Sequence, residues 1–183
     1  MARRCPVLAL ALFVILPASL VFAEHAAPSK LPFAISPSKE WMELPLPLQG
    51  VLASYGKKGT LATFHITERE FDEVKNLEQL RWEDLFSPQF SSIDIHKQGS
   101  MVLGGERSRF CIYTLKAGEF KDTMEGKLAG KYINYVLIHG GKLFSITFKD
   151  TEDGFALNYP SFLTAIRTLR FNAPAPISPR RRS

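Results

Sequence analysis

The four histidines and Cys111 carry the obvious chemistry of this chain, and their spacing keeps them apart. His25, His65, His96 and His139 form no pair with the i, i+2 or i, i+4 spacing of a zinc or copper site. His65 falls on the more polar face of a strand. His96 and His139 fall near strand ends, and His25 precedes the folded region. Surface or half-buried imidazoles are therefore expected, and only convergence in space would make three of them a metal site. Cys111 sits in an apolar strand, where a small buried filler is expected. Cysteine catalysis needs a thiolate and an orienting base within hydrogen-bond reach. A Cys111–His139 pair across neighbouring strands is one conceivable arrangement, and Arg109 is the one nearby residue in sequence that would lower the thiol pKa.

Other chemistries fail on pattern. No Gly-x-Ser-x-Gly is present, which removes the nucleophile elbow. Gly104-Gly105 is not followed by Gly-Lys-Ser/Thr, so it is no phosphate loop. The carboxylate pairs Glu68/Glu70 and Glu152/Asp153 stand at helix starts or turns, where capping and solvation account for them. No catalytic residue, cofactor-binding residue or metal ligand is assigned, and no cofactor is expected.

The first 23 residues set the compartment. Arg3 and Arg4 precede an apolar run from Val7 to Leu16, Pro17 breaks it, and small residues lead to Val21-Phe22-Ala23. That order is the order of a secretory signal peptide. Residues 1–23 are expected to be a cleaved leader. The alternative is an uncleaved anchor, since a spanning helix needs roughly 20 apolar residues. Against it, Pro6 and Pro17 punctuate the stretch. Cys5 precedes the apolar core, whereas a lipid-bearing cysteine would follow it. With Cys5 removed, Cys111 has no disulfide partner.

The chain holds 23 basic and 18 acidic residues. Without the leader the surplus is +3, all of it in Arg180, Arg181 and Arg182. The body is thus neutral overall and lacks the basic face of a nucleic-acid binder. The arginine end is a solubilising tail, or at most a weak peripheral membrane contact worth about 1 kcal/mol per residue.

Residues 24–31 read as a flexible lead-in, 32–171 as one α+β domain, and 172–183 as a disordered Pro/Arg tail. Phe33 and Ile35 suggest a short strand. Trp41 to Leu44 continue extended, and Pro45 and Pro47 exclude a central strand or a helix there. Val51–Tyr55 and Leu61–Thr67 are strands, with Ala62, Phe64 and Ile66 on one face. Glu68–Phe90 is predicted as an acidic helix whose stripe is Val74, Leu77, Leu80, Leu85 and Phe86. Its seven acids and three bases make it the one charge-biased segment of the body. A strand is predicted from Ser92 to Lys97, punctuated afterwards by Gly99. Arg107–Lys116 reads as a central strand, since both of its faces are largely apolar. Gly140-Gly141 between Tyr132–His139 and Leu143–Phe148 marks a tight hairpin. Pro160 is predicted at the first position of a last helix carrying Phe162, Leu163, Ile166 and Leu169.

Phe33-Ala34-Ile35-Ser36-Pro37-Ser38-Lys39-Glu40-Trp41 resembles the opening strand, proline and tryptophan of PsbP-like and DcrB-like proteins. The hairpin at Gly140-Gly141, Ser161-Phe162 and Thr168-Leu169-Arg170-Phe171 resemble the family's ending. The resemblance spans residues 32–171. It implies a single α+β domain, mostly antiparallel sheet with helices packed on it in an α/β/α sandwich. It also implies an exported or organelle-targeted accessory role in larger complexes. Some photosynthetic members are associated with metal ions, and no such ligand set matches here.

The expected function is an exported, periplasmic or secreted, non-enzymatic binding domain that engages a protein or envelope complex. Trp41, Trp82, Tyr113, Tyr132 and Tyr135 are the aromatics to watch for exposure, most of them expected in the core. The alternatives are a small thiol- or histidine-dependent enzyme and a membrane-tethered protein that keeps its N-terminal helix.

Overall fold

Period-two alternation in the sequence becomes antiparallel sheet. The computed structural model describes residues 31–46, 50–69, 76–85, 93–115 and 129–172. Nine strands lie among them: β1 Phe33–Ala34, β2 Trp41–Glu43, β3 Val51–Lys57, β4 Thr63–Arg69, β5 Ile93–Leu103, β6 Glu106–Leu115, β7 Gly130–His139, β8 Lys142–Asp150 and β9 Arg170–Phe171. Seven form one sheet in the order β2-β3-β4-β8-β7-β6-β5, and β1 pairs with β9. Every one of these pairings is antiparallel. The leader, the lead-in up to Lys30, His25, most of the Ala117–Gly130 connection and the tail with Arg180–Arg182 lie outside the described residues.

The predicted hairpin at Gly140-Gly141 is present. Both glycines have positive φ, 58° and 78°, as a two-residue turn between β7 and β8 requires. Gly104-Gly105 does the same for β5 and β6, with φ of 60° and 91°. β5 is consequently longer than predicted and runs on through Gly99 to Leu103. Phe110 lies opposite Gly99, and a Cβ at Gly99 would come within 2.7 Å of its ring. The ring occupies the place of the missing side chain. β6 is second from the end of the sheet, not central, although both of its faces are covered in part.

One face of the sheet packs on helix α2, Glu152–Arg167. Phe155, Asn158, Phe162, Ala165 and Ile166 give it a buried stripe at helical spacing. The stripe meets Phe64, Ile66, Ile133, Tyr135, Phe144, Ile146 and Phe148. Phe162 is fully buried and stacks on Phe148 with ring centroids 4.6 Å apart, so its truncation to Ala would cost about 3–5 kcal/mol. Trp41 anchors the β2 end: its ring meets Phe64 edge-on at 4.9 Å and its Nε1 donates to Ser161 Oγ at 3.1 Å.

α2 starts eight residues before the predicted position. Thr151 is its N-cap and accepts from Gly154 N at 3.0 Å. Pro160 is therefore inside the helix. It is tolerated because Pro160 and Ala156, whose carbonyl loses its helical donor, both face solvent.

The acidic segment is the second correction. Glu68 and Arg69 continue β4, since Phe144 and Leu143 offer them ladder partners. The single long helix predicted over Glu68–Phe90 is replaced, in its described part, by a 3-10 turn at Leu77–Gln79 and the four-residue helix α1, Trp82–Leu85. Leu80 between them is extended, with φ −71° and ψ 123°. The apolar positions still work: Leu80, Trp82 and Leu85 are buried against Cys111, Tyr113, Tyr132 and Val136 on the second face of the sheet.

Candidate functional site

Register arranges the second face into transverse rows. Ser54 is opposite His65, His65 opposite Thr147, Thr147 opposite Asn134, Asn134 opposite Cys111, and Cys111 opposite Gln98. This polar row crosses six strands. His65 Nδ1 lies 3.0 Å from Ser54 Oγ, and burial, with Lys149 second, holds its pKa below the ordinary imidazole value. Ser145 Oγ donates to Asn134 Oδ1 at 2.7 Å, both residues being buried. In a neighbouring row Tyr113 and Tyr132 stack 5.1 Å apart at 9°, and Lys149 Nζ lies 5.7 Å from the Tyr132 ring centre. Burial raises both phenol pKa values and lowers that of Lys149.

Among the described residues, the histidines and the cysteine singled out in sequence do not meet. His96 Nε2 lies 2.7 Å from Thr114 Oγ1 at the β5 bulge. His139 Nδ1 is 2.8 Å from Glu106 Oε1, its Nε2 is 3.0 Å from the Asn172 carbonyl, and its ring stacks on Phe171. His65 is on another strand again. No group of three or more metal-ligating side chains gathers among the described residues. Cys111 is fully buried. It opposes Asn134, five positions from His139 along β7, which is about 17 Å at a strand's rise. The conceived Cys111–His139 pair is overturned by that register. Trp41, Trp82, Tyr113, Tyr132 and Tyr135 are all buried. Glu152 and Asp153 lie in the first turn of α2, as capping requires.

What the fold does gather is a donor-lined pocket where the second face meets the β5 edge. Its volume is about 290 Å³, and Glu78, Gln98, Gly99, Ser100, Arg107 and Arg109 line it. Arg109 Nη1 donates to the carbonyls of Leu77 and Leu80 at 2.6 and 2.8 Å, and its guanidinium sits 5.6 Å from the Trp82 ring centre. Arg107 pairs with Glu78 at 2.8 Å. Trp82 Nε1 donates to Gln98 Oε1 at 3.0 Å. An indole N–H can only donate, so it fixes the oxygen of Gln98 inward and leaves the amide NH₂ for the pocket. Ser100 adds a hydroxyl on the same face, opposite Arg109. The one carboxylate of the lining is held by Arg107, so the arrangement suits a ligand that accepts hydrogen bonds and bears negative charge.

The signal for this pocket lies in the sequence. Gly104-Gly105 marks a hairpin as Gly140-Gly141 does, and counting back from it sets Ser100 against Arg109 and Gln98 against Cys111. Alternation then puts Gln98, Ser100, Arg107 and Arg109 on one face.

The architecture decides the likeness. The fold is PsbP-like. Cyanobacterial PsbP (CyanoP) from Synechocystis sp. PCC 6803 superposes with a TM-score of 0.55 at 13% identity, covering 77% of this chain and 87% of that one. LpqN of Mycobacterium tuberculosis, described as involved in cell envelope biogenesis, gives 0.49 at 9% identity over 81% of this chain and 87% of that one. PA94 of Pseudomonas aeruginosa, a protein of unknown function, gives 0.47 at 14% identity over 78% and 84%. No family model matches the sequence, and no curated protein matches it. The α+β class and the PsbP-like resemblance expected from the sequence both hold, with one long helix on the sheet among the described residues.

Proposed function

We propose that this PsbP-like chain is an exported, non-enzymatic accessory domain that binds a protein of the cell envelope. The observation that carries this reading is the pocket at the β5 edge. Its polar groups are oriented donors held by neighbouring backbone and indole groups, which is an arrangement for recognition. The thiol, by contrast, is sealed in the sheet, five strand positions out of register with His139. The resemblance to PsbP-like proteins supports an accessory role, and the order of residues 1–23 supports export. No helix of the described residues is long and apolar enough to cross a membrane.

Two measurements test it. Fractionation with N-terminal sequencing of the native protein is expected to give an envelope or external protein beginning near Glu24; a cytosolic protein beginning at Met1 overturns export. Cross-linking in native envelope extract, across a salt series, is expected to give one saturable protein adduct. Substrate turnover that disappears in Cys111→Ser would replace the reading with a thiol enzyme.

A further inference from the structure

The two ends of the seven-stranded sheet are finished differently. β2 has three residues and is followed by Pro45, whereas β5 has eleven. Strand edges that must stay single are kept short or carry charge, proline or a bulge. On β5 those devices all lie in the first half: Asp94, the bulge at His96, and Lys97. Gln98–Leu103 has no charge, no proline and no shift of register. Gln98, Gly99, Ser100 and Val102 are exposed there, Val102 at 66%. The donor-lined pocket opens beside this half. Among the described residues its lining carries two cations, Arg107 and Arg109, against the carboxylate of Glu78.

We propose that the Gln98–Leu103 edge of β5 receives an extended acidic segment of a partner protein as an added strand. A carboxylate of that segment seats among the Gln98 amide, the Ser100 hydroxyl and the Arg107 guanidinium. Main-chain bonds to the edge supply the contact and alternate side chains supply the choice of sequence. Every second residue of the segment faces the pocket, where acid is favoured. The residues between face the other side, next to Met101 and the buried Leu103, where apolar side chains are favoured. This inference rests on the partner-binding reading above and gives that partner a chemistry.

The probe is a synthetic peptide of about six strand residues alternating Val with Glu. It is titrated against the purified protein by fluorescence anisotropy, with hydrogen exchange read on β5. Saturable binding with slowed exchange at the amides of residues 98–103 is expected. Arg107→Gln leaves Glu78 unpaired beside the ligand and should weaken binding at least tenfold, on the order of a lost charged hydrogen bond. Glu78→Gln removes the competing carboxylate and should tighten it by up to about fivefold. Val102→Lys charges the edge on the pocket's own face, opposite Arg107; strand addition should then be lost, and slowed exchange and binding with it, whereas attraction by charge alone would tighten binding of the acidic peptide. Arg107 is 69% exposed, so its variant is expected to keep the parent thermal midpoint.

Equal affinity for the Val–Lys peptide overturns the proposal. So does binding of the Val–Glu peptide with unchanged β5 exchange, or binding of succinate or phosphate with the same affinity as the peptide. Self-association that Val102→Lys abolishes, with no peptide binding, assigns the edge to a second copy instead. A cross-linked envelope partner retained unchanged by Arg107→Gln and Val102→Lys would refute this site and leave the accessory reading standing.

Discussion

Tyr135 on β7 and Tyr159 on α2 place their hydroxyl oxygens 2.7 Å apart, a hydrogen bond from helix to sheet set within a cluster of aromatic rings. Phe155 stacks on Tyr159 at 5.5 Å, and Phe162 lies 6.2 Å from Tyr135. Burial, and the bond to Tyr159, push the Tyr135 phenol pKa upward, and within the pair one hydroxyl donates and the other accepts. Tyr159→Phe leaves the Tyr135 oxygen unsatisfied and should cost about 1–3 kcal/mol. In the double Phe variant the two losses should overlap, with a coupling of about 0.5–3 kcal/mol. Urea unfolding of the four proteins in the cycle measures it, and strictly additive losses would refute the pairing.

Gly154 tests the start of α2 in the opposite direction from helix propensity. Alanine is favoured over glycine inside a helix by about 1 kcal/mol. Here a Cβ would meet the Asp150 carboxylate at 2.7–2.8 Å. That carboxylate cannot swing away freely. Its Oδ1 accepts from Thr151 N at 2.8 Å, and its Oδ2 accepts from Asn158 Nδ2 at 2.7 Å. Gly154→Ala should therefore destabilise by about 1–3 kcal/mol, through crowding and loss of these bonds. A raised thermal midpoint would show that the cap yields.

His65 gives a pH dependence with a defined sign. Burial first, and Lys149 second, hold its folded pKa below the ordinary 6.5. From about pH 6.5 downward the unfolded chain therefore binds the proton more readily than the folded one. Stability contributed by the neutral imidazole is present above that pH and falls as the pH drops toward the folded value. His65→Gln removes this titration. Its unfolding free energy, relative to the parent, should rise as the pH is lowered from about 7 to 5. A constant difference between the two proteins across that range would assign the acid sensitivity elsewhere.

Local signals carried the strands, and tertiary partners decided the helices. Gly140-Gly141 is legible because two consecutive positive φ values demand glycine. Alternation on Phe64 and Ile66 is legible because one face must be buried. The stripe of Leu77, Leu80 and Leu85 also points to buried apolar positions, yet periodicity alone does not distinguish one helix from short turns pressed on the same sheet face. What separates them is Arg109, 32 and 29 residues on from Leu77 and Leu80, whose guanidinium takes the two carbonyls that a continuous helix would use internally. Pro160 misleads for a related reason. A proline at a helix start and one on the solvent face of a helix interior read alike until Phe155 and Asn158 are seen to be buried. The pocket needs the β5–β6 register, and that depends on recognising Gly104-Gly105 as a turn.

Arg109 should accordingly be the clasp of residues 76–85. Its fork donates from Nη1 to two carbonyls while the guanidinium plane stays near the Trp82 ring. Lysine keeps the charge and loses the fork and the flat surface. Arg109→Lys should weaken docking of this segment by about 1.5–3 kcal/mol, as expected for hydrogen bonds to a charged donor. The effect should be local, because α2 and its core lie on the other face of the sheet. Faster hydrogen exchange at Leu80 and a red-shifted Trp82 emission are expected, the latter read in a Trp41→Phe background, with exchange in β7 and β8 unchanged. If exchange at Leu80 stays slow in Arg109→Lys, the segment is held by apolar burial alone and the guanidinium is dispensable to it.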